Sequence, residues 1–209
     1  LSGRIVRAIG GKPPESLTYE LFLDENGEKI SKSRGNGLTI EEWLTYAPEE
    51  SLALFMFSKP KSAKRLYFDV IPKTVDDYLA LLEKIVGEDA AQQLENPIWH
   101  VHNGKPPVDR TPLSFNVLLN LVSVCNTEDK SVLWGFILRY APHAETMPNG
   151  LLDKLVGYAI RYYSDFVKPY KHYRKPSTKE RKALEELVAE LLKMAENATA
   201  EEIQSCVYE

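Results

Sequence analysis

Cysteine is scarce in this chain. Cys125 and Cys206 are the two present, far apart and with no Cys-x-x-Cys pair, which argues against a disulfide framework and against a cysteine zinc site. Long apolar runs are missing too: no stretch approaches the roughly 20 residues that cross a bilayer. No secretory leader is visible, and the expectation is a cytoplasmic protein without a membrane partner. A strong charge of either sign is also absent. The net charge of −4 offers no global attraction to nucleic acid, so any RNA contact must come from local basic patches. The remaining composition is that of an ordinary globular chain, and 209 residues suffice for one or two domains with a sizeable core. There is no initiator methionine. Leu1 reads as the middle of a domain, and the chain stops at Glu209 just past a helix start where Thr199 and Glu202 stand in a capping-box arrangement. An excised fragment of a longer protein is the expectation.

What is concentrated is local. Lys29-Ile30-Ser31-Lys32-Ser33 packs two lysines and two serines into one short stretch, and Arg34-Gly35-Asn36-Gly37 follows at once. The glycines there disfavour a regular element. Ahead of it, the apolar run Tyr19 to Leu23 and the turn-forming Asp24-Glu25-Asn26-Gly27 predict a hairpin. The lysine-serine cluster then sits on a loop just past a strand. Lysine ammonium groups act there as point charges on phosphate oxygens, with hydroxyls and backbone N–H groups adding hydrogen bonds. A solvated basic turn is the alternative that the residues alone leave open.

The longer text from Leu23 to Asn36 resembles the second signature motif of class I aminoacyl-tRNA synthetases, the KMSKS type, including its lead-in and its Gly-Asn exit. Gly35 to Leu44 and Lys64 to Pro72 narrow the resemblance to the class I lysyl-tRNA synthetase, most clearly over residues 1–80. The resemblance implies an enzyme that activates lysine with ATP and Mg2+ and attaches it to tRNA(Lys). Lys29 and Lys32 would then be the catalytic cations. Lys29, Ile30, Ser31, Lys32 and Ser33 would form the ATP-binding loop, with Lys32 on phosphate directly. Residues 1–60 would be the end of the catalytic core with its connecting helices, and residues 61–209 a helical anticodon-binding domain truncated at its C-terminus. The first signature and the amino-acid pocket would lie upstream of Leu1. The fragment is therefore expected to be inactive alone, to retain no ATP, and to be monomeric. Two alternatives stay open: a non-catalytic helical RNA-binding domain, or the corresponding region of a glutamyl-tRNA synthetase. The Gly37 to Pro72 text favours lysine.

The rest of the chain reads as mainly α: a small mixed N-terminal piece followed by an all-helical bundle, with no strand pattern after residue 30. Arg4 to Ile9 predicts a helix end closed by Gly10-Gly11. Thr39 is an N-cap candidate, and Pro48 opens a helix to Phe57 that is apolar nearly all round and should be buried. Val75, Tyr78, Leu79, Leu82 and Val86 form an amphipathic stripe. Thr111-Pro112 predicts an N-cap with proline at the first helical position, opening a helix through Val122. Leu133 to Tyr140, Pro148 or Gly150 to Val167, and a run carrying Leu184, Leu187, Val188, Leu191 and Leu192 read as further helices.

Three polar groups remain. His100-Val101-His102 has no third ligand nearby and reads as polar loop residues, so no metal site is expected. Lys59, Lys61, Lys64 and Arg65 are four cations without an intervening acid. Residues 158–182 interleave cations, Lys171, Arg174 and Lys175 among them, with Tyr162, Tyr163, Phe166, Tyr170 and Tyr173. Cations on phosphates beside rings that stack unpaired bases suit single-stranded RNA. Lys61, Lys64, Arg65, Lys171, Arg174 and Lys175 are accordingly the candidate tRNA contacts. A packed aromatic core with a solvated basic rim is the other reading.

Overall fold

Glycine ends the first helix. The computed structural model describes residues 2–31, 33–108, 110–142, 144, 150–194 and 198–208. Helix α1 (Ser2–Ala8) closes at Gly10 with φ +80°, and Gly11 N–H returns to Val6 C=O at 2.8 Å. A left-handed residue after a helix lets its last carbonyls find partners in this way, and glycine reaches that conformation without strain.

The expected hairpin exists in miniature. Gly27 takes φ +83° in the turn, and Leu23 forms an antiparallel bridge with Lys29. The fuller partner of β1 (Phe22–Leu23) lies elsewhere: it runs parallel to β2 (Lys64–Arg65), with Leu66 N–H donating to Leu23 C=O at 2.7 Å. A strand after residue 30 corrects the all-helical expectation. Two residues are too short for period-2 alternation, so nothing in the sequence announces β2.

Thr39 caps α2 (Ile40–Tyr46) through a full capping box with Glu42. Trp43 is fully buried, and its indole N–H donates to Ser51 Oγ on α3 (Glu49–Phe57) at 3.1 Å. Pro48 is the cap residue of α3 rather than part of it. That helix is not buried all round: Ser51 and Leu54 are buried, while Met56 and Phe57 are 39% and 50% exposed. Its packing partners are α4 (Val70–Lys84) and α6 (Pro97–Val101), and the half-exposed Phe57 ring stacks on His100 of α6 at 5.4 Å.

Along α4, Val75, Tyr78 and Leu82 are buried as the stripe predicts. Val86 is 67% exposed, and Ile85 is buried in its place. The chain tightens into a 3-10 turn at Ile85–Gly87, and the change of period from 3.6 to 3.0 moves the buried position back by one. After α5 (Ala90–Glu95) and α6, helix α7 (Phe115–Cys125) begins at Ser114, not at Thr111-Pro112. Ser114 Oγ accepts Val117 N–H, and the Asp76 carboxylate of α4 accepts Phe115 N–H and Asn116 N–H. A cap supplied by another helix therefore overrides the local signal.

Helix α8 (Lys130–Tyr140) follows, and then α9 (Gly150–Tyr162), which continues through a π turn at Tyr163–Val167 into a 3-10 turn at Lys168–Tyr170. Pro148, the alternative start for that helix, lies outside the described residues. Trp43, Ile71, Phe115, Ile137, Leu155 and Tyr163 belong to the main core. A smaller core gathers Leu54, Tyr78, Leu82, Ile85 and Ile98.

Contacts divide the chain into Leu1–Pro169 and Tyr170–Glu209. Helix α3 packs on α4 across the expected division after residue 60. The second unit holds α10 (Thr178–Leu191) and α11 (Ala200–Tyr208), which pack on each other. Both start with reciprocal caps, Ser177 with Glu180 and Thr199 with Glu202. The α10 stripe is partly open to solvent: Leu187 and Leu191 are half-buried, while Leu184 and Val188 are each 53% exposed. Mainly α is the class observed among the described residues.

Candidate functional site

The signature loop is closed at its neck. Asp24, only 8% exposed, accepts Asn26 N–H at 3.0 Å and Glu28 N–H at 2.8 Å on Oδ1. Its Oδ2 accepts Asn36 Nδ2 at 2.8 Å, and Asn36 Oδ1 accepts Ser31 N–H at 3.0 Å. Asn36, first, and then Glu28 N–H hold the Asp24 carboxyl below the usual carboxylate range. Beside this polar junction Gly37 lies against Ile30, where a Cβ would come within 2.5 Å of Ile30 Cγ2. The tip turns back on Ser31, whose C=O accepts Arg34 N–H and Gly35 N–H at 3.1 and 3.2 Å. Gly35 permits that turn with φ +63°.

Of the expected loop residues, Lys29 is exposed, its backbone held by the bridge to Leu23. Ile30 packs against the main core. Ser31 Oγ and Ser33 Oγ lie 2.8 Å apart, with Ser33 exposed. Lys32 lies outside the described residues. Arg34 pairs with Glu28 across the loop at 2.6 Å. An exposed lysine and serine hydroxyls on a loop of this kind are chemistry for phosphate oxygens. Asp24 and Asn36 escaped the sequence reading. Aspartate at the head of an Asn-Gly turn is a local signal, whereas nothing in the sequence pairs it with Asn36.

The second basic cluster splits. Lys64 Nζ donates to Phe55 C=O and Met56 C=O at the C-terminus of α3 and sits 5.2 Å over the Phe55 ring. Burial pushes its pKa down. Lys61 and Arg65 are exposed. Arg65 comes to the loop's base: a Cβ on Gly27 would stand 3.6 Å from its Nη2.

The basic-aromatic stretch splits as well. Tyr162 and Tyr163 are buried, and Tyr162, Phe166, Tyr46 and Phe68 form one aromatic cluster. Tyr46 OH donates to Asp165 Oδ2 at 2.8 Å, and Arg161 Nη1 to Thr45 C=O at 3.1 Å. Burial first, then Asp165, pushes the Tyr46 hydroxyl up to about 12. In the second unit Tyr170 and Tyr173 are 74% and 71% exposed. Lys171 Nζ stands 5.9 Å over the Tyr173 ring, and Lys175 is exposed. Arg174 is engaged by Glu180 through two bonds of 2.8 and 2.6 Å.

The histidine pair is not in a loop, which corrects that expectation. His100 lies on α6, with Nε2 2.8 Å from Leu94 C=O, and His102 caps that helix with Nε2 3.1 Å from Tyr78 OH. Asn96 and Pro97 start α6 as cap and first residue, a signal the sequence carried. Among the described residues no three His, Cys, Asp or Glu side chains gather as a metal cage. No described helix is long and apolar enough to cross a membrane.

The lysine-serine loop pinned at its base carries the text that resembles the second signature of class I tRNA synthetases. Residues 1–105 match the family model for tRNA synthetases class I (K), and the chain belongs to that family. Proteins named lysine–tRNA ligase are its curated relatives: that of Roseobacter denitrificans is 54% identical over 98% of this chain and 39% of its own length. Those of Rickettsia rickettsii and Rickettsia felis are 51% and 50% identical over 100% of this chain and 40% of their own. The chain thus spans about two fifths of the length of these relatives. No solved structure matches it.

Proposed function

We propose that this chain is the phosphate-loop and tRNA-binding portion of a lysine–tRNA ligase, which uses ATP to join lysine to tRNA(Lys). The observation that supports it best is the pinned loop with exposed Lys29 and paired serine hydroxyls, in a chain of this family. In the activation step the lysine carboxylate attacks the α-phosphorus and pyrophosphate leaves. Charge builds on the phosphate oxygens, and Lys32 offsets it with Lys29 assisting. Ser31 and Ser33 shape the loop and offer hydroxyls. Mg2+ is expected to ride on ATP oxygens rather than in a cage built by this chain. Exposed Tyr170, Tyr173 and Lys175, with half-buried Lys171, supply rings and cations for the tRNA, and Arg174, Lys61, Lys64 and Arg65 are further candidates. Such a reaction belongs in the cytoplasm. The relatives' names favour lysine over the glutamate alternative.

Pyrophosphate exchange in the full-length ligase tests the reading. Lys29→Ala and Lys32→Ala should each slow lysine-dependent exchange by roughly 100-fold while tRNA affinity holds. Unchanged exchange overturns it.

A further inference from the structure

We infer that Asp24 and Asn36 are positioning residues for the signature loop: their side chains form a clasp that fixes the Ser31 peptide, and through it the direction in which Lys29 and the serine hydroxyls are presented. The inference rests on the reading that this loop faces ATP phosphates.

A carboxylate as buried as Asp24 requires donors. Two of its three, Asn26 N–H and Glu28 N–H, belong to the turn that Asp24 itself opens. The third does not. Asn36 arrives from the far side of the loop, twelve residues on, and its amide reaches in two directions at once. Nδ2 meets the Asp24 carboxylate, and Oδ1 meets Ser31 N–H in the middle of the signature. Only this orientation of the amide satisfies both neighbours, since a flipped Asn36 would face a carboxylate with oxygen and an N–H with nitrogen.

Ser31 also carries the tip turn, through its C=O. Ser31 is therefore held by N–H from the clasp and by C=O from the tip, with the Leu23–Lys29 bridge just before it. A turn closed for its own sake would need only the first two donors. The third joins the base of the loop to its reactive centre, which is what preorganisation of charged groups requires.

Exchanging the two side chains tests the clasp in the full-length ligase. Asp24→Asn sets amide against amide, and Asn36→Asp sets carboxylate against carboxylate. The double variant restores one donor facing one carboxylate: Asn at 24 still accepts both turn N–H groups, and Asp at 36 still accepts Ser31 N–H. Each single change should slow pyrophosphate exchange by roughly 10- to 100-fold with lysine affinity retained, and the swap should recover most of that loss. Unaffected single variants, or a swap no better than they are, overturn the inference. Lys29→Ala, run beside them, separates the two ideas: if it leaves exchange unchanged, the phosphate reading fails. Ser31 amide hydrogen exchange then judges the clasp alone. It should quicken in both single variants and return in the swap; unchanged Ser31 protection overturns the clasp whatever the kinetics show.

Discussion

The Asp76 carboxylate on α4 accepts the backbone N–H of Phe115, the first residue of α7, and also binds the Asn116 side chain. One acid thus serves as a cap for a helix far away in sequence. Asp76→Ala should lower stability by about 1–3 kcal/mol, the range for losing a cap with charged hydrogen bonds. Denaturant unfolding measures it, and Ser114→Ala should cost less because its Oγ caps one N–H. Equal stability of Asp76→Ala and the parent would show that the contact contributes nothing.

At the start of α10, Arg174 foremost and Ser177 after it hold the Glu180 carboxyl down at about 2, against an ordinary 4.5. The folded value is the lower one, so the ionised carboxylate favours the folded cap. That contribution is complete above about pH 4.5 and fades as pH falls toward about 2. A carboxyl NMR titration should place the Glu180 midpoint in that low range, and Arg174→Ala should move it up. An unmoved midpoint would remove Arg174 as the cause.

Gly37 has an ordinary backbone but no room for a side chain. Gly37→Ala would drive a methyl to within 2.5 Å of Ile30 Cγ2, a branch atom that cannot swing away freely. A loss of roughly 1–3 kcal/mol is expected, as for other overpacked sites. Ile30→Ala in the same chain should return part of it. Additive losses in the double variant would place the strain elsewhere.

Charge changes should separate fold from RNA binding. Lys171→Glu and Lys175→Glu should weaken binding of lysine tRNA, each lowering the salt slope by about 0.7–0.9 for every phosphate no longer neutralised. Arg174→Glu should act partly through the α10 cap, since Glu180 already engages it. Lys64→Met is expected to act first on the fold, lowering the melting temperature because the α3 carbonyls of Phe55 and Met56 would be left without their cation. A filter-binding series over salt concentration with parallel melts tells these apart. Binding unmoved by the Lys171 and Lys175 reversals would reduce the stretch to a solvated rim.

Much of this architecture was legible because its causes are local. Thr39 with Glu42, Thr199 with Glu202, and Gly10 after α1 act within one turn of chain, and each stands where its spacing puts it. The stripe on α4 was readable for the same reason, until the 3-10 turn shifted its last member from Val86 to Ile85. The lysine-serine run was legible as residue types at a spacing.

What escaped the sequence depends on partners brought from elsewhere. β2 exists because β1 lies beside it, α7 begins at Ser114 because Asp76 waits there, and Asp24 meets Asn36 across the loop. The aromatic residues divide between core and surface for the same reason: Tyr162 packs under Tyr46, while Tyr173 does not enter a core. The sequence alone determined which groups are available and which helices can form, because propensity and capping are short-range. Tertiary structure decided how the signature loop is held, because a hydrogen bond between distant residues forms only after packing has already ended the chain's freedom to keep them apart.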